Sequence, residues 1–483
     1  MNARDLDQQY ASDFGQGNVQ GEIQDCASIL EINPNLIQVH HQQGLACLQL
    51  GDYPGAIEAY TQAIRLNPVD PRAYYKRGLA RAAIEDDQGA IADYTQTLRL
   101  NPNDARAYYK RGLVRFILDA KAAIEDFNQS LALNPRNPEV YFSRGTAHFR
   151  LGAHQEAIAD YTQAIKINPN HAMAYGKRGN AHAEQGDYRA AIEDYAQVLC
   201  LKANDAAAYY NRGLAHRSLG EHQSAIQDFS QTLTLEPNDA AAYYNRGLSE
   251  ADLGNYQRAI EDYSQVLQIK PEVAEVYDYR GTAHAELGDY QEAIEDYTQA
   301  IRLNSKFAAA YYNRGLARIR LADAEGVEDY TQAIHLDPHF FAAYYNRGLA
   351  RIQLGEVDGI EDLNQALRLN PYDAVAYFNR GIVRRQLGDI QGAIQDYIQV
   401  LRFNPQNSQA YNNLGNARAD LGDYKGAIAD YTQAIYLNAK DANAYFNRGN
   451  ARRSLGDIPG SIEDYQTAAD LYLQQASQKT TQH

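Results

Sequence analysis

The chain has no tryptophan, two methionines and only three cysteines in 483 residues. Cys26, Cys47 and Cys200 are too few and too scattered for a disulfide framework, which points to a reducing compartment and a cytoplasmic location. No apolar run approaches the length of about 18 residues that a membrane-spanning helix needs. The opening Met1-Asn2-Ala3-Arg4-Asp5-Leu6-Asp7 lacks the apolar stretch of a secretory signal, so none is expected. Positive charge is scarce too: 45 Lys and Arg against 61 Asp and Glu give a net charge of -16. Nucleic-acid binding rests on clustered Lys and Arg neutralising phosphates, so no nucleic-acid partner is expected. Pro/Ser-rich linkers and low-complexity runs are missing, which argues for one continuous array rather than several globular domains.

What the chain does have is a glycine that returns at 34-residue steps: Gly44, Gly78, Gly112, Gly145, Gly179, Gly213, Gly247, Gly281, Gly315, Gly348, Gly381, Gly415 and Gly449. Three steps are one residue short. A fixed period of this length means one supersecondary unit stacked many times. With that glycine at position 8, helix A carries Tyr209, Gly213 and His216 on one face, and helix B carries Ala225, Phe229 and Thr232. Gly220 separates them and Pro237 follows helix B, as helix ends require.

This pattern resembles the tetratricopeptide repeat family, whose motif also runs 34 residues. Position 20 is small throughout, from Ala56 to Ser461, with Gly326 and Gly359 among its members. Position 24 is a ring in every repeat except at Leu363, and ten of the fourteen prolines fall in the motif's proline phase. The resemblance implies an all-α, right-handed solenoid of antiparallel helix pairs. Its expected parts are a degenerate capping repeat over 1–38, thirteen repeats over 39–472, and a helix end with polar tail over 473–483. Tyr10, Gly17, Ile23, Asp25, Leu30 and Pro34 carry the phase of the cap.

The chain departs from the motif at position 7, where the family has leucine. Here it is arginine in eleven repeats, from Arg77 to Arg448, and position 23 is aspartate from Asp93 to Asp464. The repeat with Ala59 in place of the aspartate also has Gln43 in place of the arginine; Leu414 beside Asp430 is the one mismatch. These residues are expected to pair between helix A and helix B, within a repeat or between neighbours, because an unpaired buried charge costs several kcal/mol. Three shortened A–B turns, at Asp119-Ala120-Lys121, Ala322-Asp323-Ala324 and Glu356-Val357-Asp358, should alter local packing.

Enzymatic groupings do not converge. His148, His182, His216 and His284 all occupy position 11 of separate repeats. Neighbouring helices pack roughly 8–10 Å apart, whereas zinc needs ligand nitrogens at about 2.0–2.1 Å. No glycine opens a phosphate loop, and pairs such as Glu193-Asp194 point about 100° apart on helix B. Neither catalytic activity, metal nor cofactor is expected.

In tetratricopeptide arrays, positions 2, 5, 6, 9, 12 and 13 of helix A face a concave groove, and the resemblance carries that assignment here. Position 6 is then Asn211, Asn245, Asn313, Asn346, Asn379, Asn413 and Asn447, beside Tyr210, Tyr244, Tyr312 and Tyr345 at position 5. This asparagine ladder is similar to that of O-linked GlcNAc transferases, where it holds peptide backbone. An amide offers both donor and acceptor to a peptide unit. Toward the N-terminus position 6 becomes Lys76, Lys110 and Lys177, an entry for an acidic partner tail. The chaperone-binding carboxylate clamp is not matched, because Lys177 and Asn180 sit at positions 6 and 9. The expected role is a non-enzymatic scaffold or assembly factor that holds protein or peptide partners. A regulatory subunit of an enzyme complex and a self-associating array, a homo-oligomer, stay open, as does a ladder copied by duplication without binding anything.

Overall fold

The computed structural model describes residues 19–480, which form 27 α-helices and no strand among the described residues. The chain divides into two compact units at Leu253/Gly254. Within each, consecutive helices pack as antiparallel A–B pairs, and helix B of one pair packs on helix A of the next. Most successive A helices of a unit also touch one another, so they line a common face. Tyr10 and Gly17, expected from the sequence to belong to a capping repeat, lie outside the described residues. Helix Val19–Ile32 buries Cys26 and packs Ile23 on the first core cluster. Burial also pushes the Cys47 thiol up to about 11. The last helix runs from Ile458 to Thr480.

Several repeats start their helices with the same device. Asp70, Asp104, Asp239 and Asp441 accept backbone N–H groups at the start of helix A; Asp52, Asp86, Asp389 and Asp423 do so for helix B. Each such cap contributes about 1 kcal/mol. Helix A ends in a left-handed residue, a glycine in ten repeats; Glu85 and Ala322 hold that conformation without being glycine.

The core of a repeat is the position-24 ring lying on the position-8 glycine. A Cβ on Gly415 would stand 2.6 Å from Cε1 of Tyr431, which is 2 % exposed and has nowhere to go. The polar ends of these rings are satisfied from position 9: Tyr195 donates to Asn180, Tyr431 to Asn416 and Tyr161 to Thr146.

The three short turns are accommodated in two ways. At Asp119 a single residue closes helix Ala105–Leu118 and caps helix Ala120–Leu133, so both keep 14 residues. At the other two, helix B gives up its first turn and shortens to 11 residues, Gly326–Leu336 and Gly359–Leu369. There the backbones close in: a Cβ on Gly359 would meet the Gly348 carbonyl oxygen at 2.5 Å, and one on Gly326 the Gly315 oxygen at 2.7 Å. Glycine at these two positions is therefore a requirement of the shortened turn. Gly359→Ala is expected to lower stability by about 1–3 kcal/mol, against the gain in helix propensity that alanine normally brings. Ala123, at the same position after the Asp119 turn, already carries its Cβ in the buried core, so the reverse change Ala123→Gly should also destabilise, by about 2 kcal/mol, from the propensity loss and one lost buried methyl. Chemical denaturation of the two variants checks both losses.

Candidate peptide-binding face

The arginines of position 7 pair within their own repeat. Arg280 is typical: Nε donates to Asp296 Oδ2 at 2.8 Å and Nη2 to Oδ1 at 2.6 Å, a bidentate fork. Its third nitrogen reaches back to the preceding repeat and donates to Ser264 Oγ at 3.0 Å, while the guanidinium lies over Tyr277 at 5.6 Å. The same third bond links Arg77 to Thr61, Arg111 to Thr95, Arg144 to Asn128, Arg347 to Thr331 and Arg380 to Asn364. Position 25 thus supplies a hydroxyl or amide to the arginine that follows it. Where it is Ile398, the following position 7 is Leu414, and the two join one apolar cluster. Position 11 adds a second arginine to the same carboxylate: Arg81 to Asp93, Arg115 to Asp126, Arg318 to Asp329. His148 and His216 stand in its place, 3.8 and 3.9 Å from Asp160 and Asp228. These charges belong to the interior seam, which leaves the outer side of the A helices to the residues at positions 2, 5 and 6.

On that side a second cross-repeat ladder appears. Asn346 Nδ2 donates to the Tyr312 hydroxyl of the preceding repeat at 2.9 Å, and Asn379 makes the same bond to Tyr345. In the first unit Asn245 donates to Tyr210 at 3.1 Å, and also to the Ala241 carbonyl, and is buried. Where position 5 is not aromatic, an acceptor still stands there: Asn313 donates to Asp278 at 3.0 Å and Asn447 to Asn412 at 3.1 Å. Asn211 and Asn413 make no such bond, because the residues facing them are Gly176 and Phe378. The position-5 rings are anchored beneath: Tyr210 packs on Phe229, Tyr312 on Tyr330 and Phe378 on Tyr397, with centroids 5.8–6.0 Å apart. Burial pushes the Tyr210, Tyr312 and Tyr345 hydroxyls up, so they stay protonated, and the asparagine bonds oppose that shift. Burial likewise raises the Asp278 carboxyl.

The predicted residues thus fall into three groups. Asn313, Asn346, Asn379 and Asn447 sit half-buried in cross-repeat bonds, and Asn245 is fully committed; Asn211 and Asn413 are half-buried without one. Tyr210, Tyr312 and Tyr345 hold the asparagines; Tyr244 is half-buried at the same position. Lys76 and Lys110 are half-buried and Lys177 is exposed. The cross-repeat partners were missed from sequence, although the coincidence of Gly176 with the lone Asn211 is a signal that could have pointed to them.

Models described as TPR repeat match residues 44–84, 119–152, 179–220, 281–321, 383–422 and 415–453. Models described as Tetratricopeptide repeat match 138–171, 206–239, 240–273, 160–193 and 323–374. The chain belongs to the tetratricopeptide repeat family. No curated protein sequence matches it. Among solved structures, MamA is 28 % identical over 35 % of this chain and 94 % of its own, with a TM-score of 0.34. YrrB, described as a TPR protein with an unusual peptide-binding site, is 25 % identical over 39 % of this chain and 97 % of its own, at 0.36. The APC/C hetero-tetramer Cut9–Hcn1 is 16 % identical over 89 % of this chain and 92 % of that chain, at 0.35. No described helix is long and apolar enough to cross a membrane.

Proposed function

We propose that this protein is a non-catalytic, cytoplasmic scaffold that holds extended peptide segments of partner proteins along its A helices. The observation that carries this reading is the half-used amide. Asn346 and Asn379 each spend one N–H on the preceding tyrosine and keep the other N–H and the carbonyl oxygen. A side chain already locked by one bond loses little entropy on making another, so the ladder is pre-organised. An extended peptide advances roughly 3.3–3.6 Å per residue. Rungs roughly 8–10 Å apart would then meet about every third residue. Each bond contributes about 0.5–1.5 kcal/mol, which supports weak, sequence-tolerant capture.

The test is a selection of twelve-residue peptides from a random library on the full chain, followed by titration of Asn313→Ala/Asn346→Ala/Asn379→Ala. The triple variant is expected to bind the selected peptides about tenfold or more weakly. Unchanged affinity would show that the ladder serves stacking alone.

A further inference from the structure

Asn313 is the rung of the ladder that ends on a charge. Asn245, Asn346, Asn379 and Asn447 donate to neutral acceptors, the Tyr210, Tyr312 and Tyr345 hydroxyls and the Asn412 amide. Asn313 Nδ2 donates instead to Asp278 Oδ1 at 3.0 Å. The two residues stand on successive A helices of the second unit, Ala274–Leu287 and Ala308–Arg320, which touch. Asp278 is half-buried. Burial pushes its carboxyl up, the Asn313 bond opposes that, and the nearby Glu275 adds to it. Among the described residues no lysine, arginine or histidine pairs with this carboxyl, and the Asn313 amide is its one hydrogen-bond partner.

Other aspartates of the same unit are compensated within the fold. Asp296 and Asp329 each receive a bidentate fork from an arginine. A carboxylate drawn out of water needs an opposite charge to offset its lost hydration, and Asp278 has only a neutral amide. It lies on the A-helix face, so the missing charge can arrive with a ligand. Asn313 keeps its second N–H and its carbonyl oxygen for peptide backbone, and a peptide residue held there has Asp278 within side-chain reach. Beside Asp278, at position 6, the ring of Tyr279 is 40 % exposed, where the following repeats have asparagine. An aromatic face also attracts a cation.

We propose that Asp278 takes the cationic side chain of a basic residue in the peptide held at Asn313. This rests on the reading that the A-helix face binds extended peptide, and it adds a charge preference at one rung. The incoming cation supplies the charge that the fold leaves out, through a charge-assisted hydrogen bond about twice as strong as a neutral one.

The test is fluorescence anisotropy on the full chain with a twelve-residue peptide of alanine and serine that carries a single lysine at its centre. The control peptide has acetyl-lysine in that place, which keeps the length and removes the charge. The lysine peptide is expected to bind about tenfold more tightly at about 50 mM salt, and the preference should shrink at about 200 mM. Asp278→Asn, whose carbonyl still accepts from Asn313, should erase the preference with an unchanged circular dichroism spectrum. Glu295→Gln removes an exposed carboxylate from helix B of the same repeat and should leave the preference intact. Equal, measurable binding of the two peptides overturns the proposal and leaves the ladder standing. So does a preference that survives in Asp278→Asn, or one that is lost in Glu295→Gln and so belongs to net charge. Failure of both peptides to bind overturns the peptide-binding reading itself, and this proposal with it.

Discussion

Replacing Asp296 by alanine is expected to cost about 3–5 kcal/mol of stability, the range for breaking a buried ion pair from one side. Asp296 is 5 % exposed and takes both of its hydrogen bonds from Arg280. Without it the guanidinium keeps only the Ser264 hydroxyl and the Tyr277 face. The cost is that of a stranded charge, not the worth of the pair. Arg280→Met/Asp296→Leu should therefore recover most of the loss, since apolar residues of similar size replace such pairs at little or no cost. Stability in a stacked array is local. The sharpest readout is hydrogen exchange, with protection lost first in Ala274–Leu287 and Tyr290–Leu303. A loss below about 1 kcal/mol in the single variant would mean that the seam is not sealed by charge pairing.

The second large effect lies where the ladder is broken. Asp430 lacks the position-7 arginine, because Leu414 stands there, and is held by Arg418 Nη1 alone at 2.8 and 3.0 Å. Burial pushes its carboxyl up from 3.8 to about 6, against the pull of Arg418. A carboxyl whose folded value is raised favours the fold most below about pH 4 and loses that contribution as pH rises through about 6. A shift of that size corresponds to about 3 kcal/mol. Asp430→Asn, whose carbonyl can still accept from Arg418, is expected to gain on the wild type by up to that amount between pH 4 and pH 8. Denaturation of both proteins across this range measures it. A difference that does not vary with pH would contradict the assignment.

The periodic glycine, the small residue and the ring of positions 8, 20 and 24 were legible in the sequence because they touch inside one repeat. Their spacing alone places them on facing sides of two helices. The Arg–Asp pair was legible for the same reason: the loss of both at Gln43 and Ala59 betrays it. What escaped were contacts along the stack. Arg280 with Ser264, and Asn346 with Tyr312, lie 16 and 34 residues apart. Periodicity fixes the phase of each residue without saying which neighbour its side chain leans toward. The shortened turns show the other limit. One missing residue is absorbed at Asp119 by a double cap and at Glu356-Val357-Asp358 by an approach that only Gly348 and Gly359 permit. A count of residues does not distinguish these outcomes; the backbone does.

In the proposed function one side chain, Asn379, both links repeats and presents itself to a ligand. The measurement that tests it most directly is the affinity of a selected peptide for Tyr345→Phe beside Asn379→Ala. Tyr345→Phe removes the hydroxyl that holds Asn379 and keeps the ring. A loss of about threefold to tenfold is expected for Tyr345→Phe, the worth of one orienting hydrogen bond, and a larger loss for Asn379→Ala. Affinity unchanged in both variants, with only the denaturation midpoint lowered, would contradict it.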